Sequence, residues 1–180
     1  MFVLRDPFFW ALVSMFALVL GVAMMSLPRL GRSGAFGSAV IAVNDLARIA
    51  LVLPFCSQPR FDWGVWNWVA GGVILAAAVA FGAPALSINW RTAPKKDMTL
   101  KTNGIYRVVR NPIYLADVLA ALGFAVMFGS YVGAALTPVW WAAFLSLVLV
   151  EEAALERTLG QPYRDYKRRV RGRIIPGLPV

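Results

Sequence analysis

The sequence predicts an all-α polytopic membrane protein of about five transmembrane helices, with a cytoplasmic connector and a C-terminal helical tail. Three observations carry this. Of the 180 residues, 59% are hydrophobic and only 15% are charged. The mean hydropathy of +0.66 is too high for a soluble domain of this length. Apolar runs near the ~20 residues that cross a bilayer as helix recur along the chain. They fall at 8–27, 35–55, 65–86, 112–128 and 132–150, separated by Pro, Gly and charged breaks. Together they make one transmembrane domain, residues 1–180.

Arg5 before an apolar stretch imitates a signal peptide. That stretch reaches Leu27, longer than a signal core, and no small-residue cleavage pattern follows, so a retained first helix is expected. The second helix carries Asn44, Asp45 and Arg48 within one turn, with Asp45 and Arg48 spaced for an ion pair. Such a pair faces the bundle interior, where it serves packing or a substrate path. Trp63, Trp66 and Trp68 at the start of the third helix suit an interfacial belt.

A polar connector follows at 87–111. Asn111 and Pro112 then read as the cap and first residue of a short fourth helix. The fifth helix ends on Glu151 and Glu152. In the tail, Leu155, Leu159, Tyr163, Tyr166 and Val170 interleave with arginines, which predicts an amphipathic helix lying on the membrane or folded over the last hairpin. Ile174, Ile175 and Pro176 are too apolar for a free end and should dock back onto protein or lipid.

Orientation follows from Lys and Arg. The connector holds Arg91, Lys95, Lys96, Lys101, Arg107 and Arg110, and the tail holds seven more, from Arg157 to Arg173. Both are expected in the cytoplasm, with Arg29 and Arg32 inside and the 57–64 turn outside, where Arg60 and Asp62 cancel. The N-terminus is then outside and the C-terminus cytoplasmic, in a bacterial or archaeal cell membrane. The excess of 18 basic over 9 acidic residues is read as membrane topology rather than nucleic-acid binding. Lone Cys56 forms no intrachain disulfide, and the absence of histidine removes the commonest metal ligand and general base. No metal is expected.

An antiparallel hairpin of the last two apolar runs brings Tyr114 and Asp117 towards Glu151 and Glu152. Carboxylates at the end of an apolar helix are costly unless paired or holding a ligand, and the helix dipole there calls for a cationic partner. The start of the fourth helix, beside Arg107 and Arg110, suits a carboxylate or phosphate.

At these residues the chain resembles the membrane methyltransferase superfamily that includes isoprenylcysteine carboxyl methyltransferases and phospholipid N-methyltransferases. The connector motif is carried by Leu100, Gly104, Tyr106, Arg110, Asn111, Pro112, Tyr114 and Ala116, and the tail motif by Glu151, Glu152, Leu155, Leu159, Gly160, Tyr163, Tyr166 and Ile175-Pro176. Asn111 stands where the family usually has His, and Ala116 where it has Gly. Asn cannot titrate near neutral pH.

The resemblance implies S-adenosyl-L-methionine bound within residues 87–180. Glu151 and Glu152 would take its amino group and ribose hydroxyls, Arg107, Arg110 or the helix start its carboxylate, and Leu100, Gly104 and Tyr106 its adenine. Pro112, Tyr163 and Tyr166 complete the implied cofactor set, and Arg110, Asn111, Tyr114 and Glu152 the implied catalytic set. Asp117, with Asp45 and Arg48, is assigned to the acceptor side. The acceptor would be a membrane lipid or lipophilic small molecule: a phospholipid amine, a thiol and an isoprenoid or prenylcysteine carboxylate all stay open, as does oligomeric state. The rival readings are an NADPH-dependent sterol-type reductase and a non-catalytic membrane binding subunit.

Overall fold

The structure, a computed structural model, describes residues 2–26, 34–92 and 100–178. Among the described residues six α-helices follow one another: α1 (Pro7–Ser26), α2 (Gly34–Val52), α3 (Val65–Thr92), α4 (Pro112–Met127), α5 (Tyr131–Leu159) and α6 (Gln161–Arg169). Among the described residues there is no strand, only an isolated bridge between Arg60 and Ser130. By length and composition α1, α3 and α5 are able to cross a membrane, while α4 is a shorter apolar helix. Its 16 residues match the short fourth run. Of the basic residues used for orientation, Arg29, Arg32, Lys95 and Lys96 lie outside the described residues, as do Leu27 and the side chain of Arg91.

Helix α2 ends at Val52, three residues before the expected Phe55, and two boundaries differ by more. Helix α3 continues to Thr92, taking the first part of the expected connector. Helix α5 does not stop at Val150 but runs to Leu159, so Glu151, Glu152, Leu155 and Leu159 belong to it. The single tail helix expected from Leu155 onwards is therefore broken. Gly160, at φ +61°, ends α5 in a conformation that costs a side-chain-bearing residue more, and α6 restarts at once with Pro162 in its first turn. The tail folds over the hairpin: Tyr163, Tyr166 and Val170 pack with Leu100, Leu155 and Leu159. Ile174 docks onto protein as predicted, buried with Leu115 and Val148.

Small residues let α3 and α4 approach closely, as in membrane bundles generally, where packing rather than hydrophobic exclusion drives association. A Cβ on Gly71 would stand 2.7 Å from the Met127 Cβ and 2.8 Å from the Gly123 carbonyl oxygen. The core between α1, α2, α4 and α5 is built on Leu51, Val52, Ala125, Trp140 and Phe144. Large apolar residues such as Leu12, Phe16, Val73 and Val79 are exposed on the outside, as a lipid-facing surface requires.

At the α4–α5 turn the loop after α2 is tied down by Arg60. Its guanidinium donates to the carbonyls of Val52 (3.0 Å), Leu53 (2.6 Å), Cys56 (3.4 Å) and Phe128 (2.7 Å). Asp62 of the same loop accepts from the backbone N–H of Gly64 at 2.7 Å. Arg60 goes to the carbonyls because the ends of α2 and α4 leave them without helical donors. Trp63, Trp66 and Trp68 are exposed close by in sequence, as an interfacial belt would be.

Candidate active site

The opposite end of the hairpin gathers the polar residues. Arg110, just before α4, meets Glu152 of α5 through two contacts, Nε to Oε1 at 2.7 Å and Nη2 to Oε2 at 3.2 Å. Both side chains are only 5% exposed, so each satisfies a charge that would otherwise be costly to bury. Glu152 also accepts from Asn111 Nδ2 at 3.2 Å and Arg173 Nε at 3.1 Å. Arg110 Nη1 donates in addition to the carbonyls of Val170 (2.7 Å) and Arg171 (3.0 Å).

The chain after α6 is thereby strapped across the start of α4. Backbone bonds complete the strap: Arg110 N–H to Gly172 O at 2.9 Å and Asn111 N–H to Arg173 O at 3.0 Å. Asn111 sits at the cap position, but its side chain makes no cap bond. Its Nδ2 donates instead to Glu152 and to Arg173 O at 3.1 Å, which turns the side chain towards α5 and the strap through a charge-assisted bond. Tyr166 Oη donates to Tyr106 O at 2.7 Å, closing the tail onto the connector.

Glu151, one residue earlier, has a different environment. Its carboxylate accepts from Tyr114 Oη at 2.9 Å and lines a cavity of about 820 Å³, within the size range of small-molecule sites. The cavity's polar end is walled by Lys101, Glu151 and the first turn of α4 from Asn111 to Tyr114, with Tyr106, Tyr163 and Tyr166 beside it. Lys101 lies within electrostatic range of Glu151. Burial pushes the phenols of Tyr163 and Tyr166 above their ordinary range, so both stay neutral and act as aromatic surface. Leu18, Met24 and Val40 of α1 and α2 line an apolar side, and Phe144 packs on Tyr114 with ring centroids 5.7 Å apart. Asn44, Asp45 and Asp117 also line the cavity.

Two motifs from distant parts of the sequence thus close around one cavity. The phospholipid methyltransferase family matches residues 67–162, just over half of the chain. The chain belongs to this family. Two curated relatives are also similar. Protein-S-isoprenylcysteine O-methyltransferase of Schizosaccharomyces pombe is 37% identical over 76 residues, covering 42% of this chain and 32% of that protein. Methanethiol S-methyltransferase of Mycobacterium tuberculosis is 31% identical over 150 residues, covering 74% and 61%. The chain thus spans about a third and about three fifths of the length of these relatives. No solved structure gives a significant match.

In this phospholipid methyltransferase family member, eleven of the fifteen residues singled out from sequence line the cavity: Asp45, Leu100, Tyr106, Arg110, Asn111, Pro112, Tyr114, Asp117, Glu151, Tyr163 and Tyr166. Arg48, Gly104, Arg107 and Glu152 do not. Arg107 is exposed on the 3-10 turn Gly104–Arg107, and Glu152 is buried behind the wall. Asp117 turns away from the glutamates towards Arg48, its Oδ1 3.9 Å from Nη2. Sequence reasoning assigned no site role to Lys101, Asn44 or Leu155, all on the cavity wall, or to Arg173. Lys101, standing next to Leu100 at the head of the connector motif, was open to discovery; Arg173 reaches Glu152 only through the strap.

Proposed function

We infer that the protein is an S-adenosyl-L-methionine-dependent membrane methyltransferase acting on a lipophilic acceptor. The observation that carries this reading is a single cavity with a charged, aromatic end and an aliphatic side. The polar end suits the cofactor's chemistry. Glu151 would hold its ammonium group, Lys101 and the N-terminal turn of α4 its carboxylate, and Tyr106, Tyr163, Tyr166 and Leu100 its adenine. Arg110 and Glu152, committed to each other, act as the scaffold that holds strap and connector in place rather than as ligands.

Bound there, the cofactor supplies an electrophilic methyl group on a sulfonium. Tyr114 orients the Glu151 carboxylate, and the apolar wall excludes water, so positioning and desolvation supply the rate. Asn111 positions through its amide and transfers no proton. The reading also places the polar end at the cytoplasmic face, where a soluble cofactor enters, with the acceptor reaching the aliphatic side from lipid.

Isothermal titration of the purified protein tests this. S-adenosylmethionine should give a saturable heat, followed by transfer of labelled methyl to a total lipid extract. Tight NADPH binding with no S-adenosylmethionine heat would replace the reading with a reductase. Cofactor binding without transfer to any lipid would favour a non-catalytic subunit.

A further inference from the structure

The outer face of α6 carries charge that the cavity does not use. On the inner face Tyr163 and Tyr166 are buried with Leu100, Leu155 and Leu159 and line the cavity. On the outer face Arg164, Lys167 and Arg168, spaced i, i+3 and i+4, share one side of the helix. They wall an open hollow of about 290 Å³. Glu156 meets Lys167 at 2.9 Å and Arg164 at 3.4 Å, and Asp165 meets Arg168 at 3.6 Å. Arg157, Arg169 and Arg171 are exposed as well, and none of these three forms an ion pair among the described residues. Six cations therefore stand against two carboxylates, in pairs too exposed to hold much of the charge.

The length of α5 sets the depth of this surface. Its apolar part from Tyr131 to Val150 already has the ~20 residues that cross a hydrocarbon core. The turns from Glu151 to Leu159 then project about 13 Å beyond it, at ~1.5 Å per residue. Gly160 breaks the helix, and the packing of Tyr163 and Tyr166 on Leu155 and Leu159 holds α6 beside those turns. Headgroups extend ~5–7 Å past the core on each side, so α6 lies against the headgroup layer. A cluster of Lys and Arg within a Debye length of that layer, ~10 Å, is drawn to anionic headgroups. A phosphate in solution offers the same oxygens but not the density of the layer.

We propose that the outer face of α6 is a docking surface for anionic phospholipid headgroups. A lipid phosphate sits in the hollow between Arg164, Lys167 and Arg168, and Arg157, Arg169 and Arg171 add attraction around it. The lipid is a bound partner and not the methyl acceptor, because its site lies outside the cavity, on a different face of the helix that carries Tyr163 and Tyr166. This holds whichever reaction the cavity carries out.

The test equilibrates the full chain, in dodecylmaltoside micelles, with an equimolar mixture of phosphatidylglycerol and phosphatidylcholine, and counts the retained lipids by native mass spectrometry. Phosphatidylglycerol should be retained roughly tenfold over phosphatidylcholine at low salt, and the preference should fall steeply at about 0.5 M NaCl. Replacing all three residues, Arg164→Gln, Lys167→Gln and Arg168→Gln, should reduce it to within about twofold of parity. Arg164→Lys with Arg168→Lys, which keeps the charge, should preserve most of it, and Arg5→Gln at the other end of the molecule should leave it unchanged. A melt checks that the triple variant is folded; if it is not, Arg168→Gln alone, at a side chain 76% exposed, should still lower the preference about twofold. A wild-type chain that retains both lipids equally overturns the proposal. So does a folded triple variant, or a single variant, with undiminished preference, which would place the lipid elsewhere. Inorganic phosphate that abolishes the preference at constant ionic strength would assign the hollow to a soluble anion and overturn the lipid as its occupant.

Discussion

Two arginines close the two ends of the α4–α5 hairpin with different partners. At the turn, Arg60 donates to four backbone carbonyls and to no carboxylate. At the cavity end, Arg110 shares itself between two carbonyls and the buried Glu152. The helix dipoles account for the difference. Arg60 sits where α2 and α4 end, and the unpaired carbonyls there carry partial negative charge that a cation satisfies directly. Arg110 stands just before the start of α4, where the dipole is positive, so its burial requires an ionised partner. A carboxylate placed for that purpose leaves its sequence neighbour, Glu151, facing the cavity. The turn end is a closed knot; the other end couples the fold to the site.

The largest consequence falls on the ion pair. Glu152→Ala strips Arg110 of its counter-ion and Arg173 and Asn111 of an acceptor, and should cost about 3–5 kcal/mol, as removal of one member of a buried pair does. A melt in detergent should then show loss of the folded protein or a strongly lowered Tm. A neutral result would mean that water reaches Arg110 and that the two ends are alike after all. Arg60→Ala should cost less, about 2–3 kcal/mol spread over several uncapped carbonyls, and should leave S-adenosylmethionine affinity unchanged. An equal loss of cofactor binding would show that the turn end is coupled to the site.

Adjacent Glu151 sharpens the contrast. Glu151→Gln keeps the shape and the Tyr114 contact, so stability should move by no more than about 1 kcal/mol while cofactor affinity falls roughly tenfold. Titration calorimetry beside a melt separates the two effects. If Glu151→Gln destabilises as much as Glu152→Ala, both carboxylates are structural and the cofactor assignment fails.

That two neighbouring glutamates have opposite fates was not legible in the sequence. Successive helical residues point ~100° apart, so one faces Arg110 and the other the cavity, but which is which depends on how α5 is rotated against α4, a matter of packing. What the sequence did disclose came from local rules: the helix start at Pro112, the pairing of two apolar runs across a short turn, and the meeting of the Arg110 and Glu152 segments. What it hid was long-range. Arg60 reaches Phe128, Asn111 exchanges capping for Glu152, and Asp117 joins Arg48 on α2, each through contacts that no sequence spacing encodes.

The α3–α4 contact carries the smallest effect and the most specific one. Ala116 stands where the resembled family has Gly, and its Cβ would lie 3.0 Å from a Cβ built on Gly82 of the facing helix. The space freed by Gly82 is what admits the alanine methyl. Gly82→Ala alone should therefore crowd the two helices and cost about 1 kcal/mol, at the low end of overpacking penalties. Adding Ala116→Gly should return most of it, because the methyl group has only changed sides. A double-mutant cycle on Tm decides the matter, since contacting residues couple and independent ones add: simple additivity would mean that α3 and α4 shift apart freely, and that this side of the bundle does not fix the position of Pro112 and Tyr114 against α5.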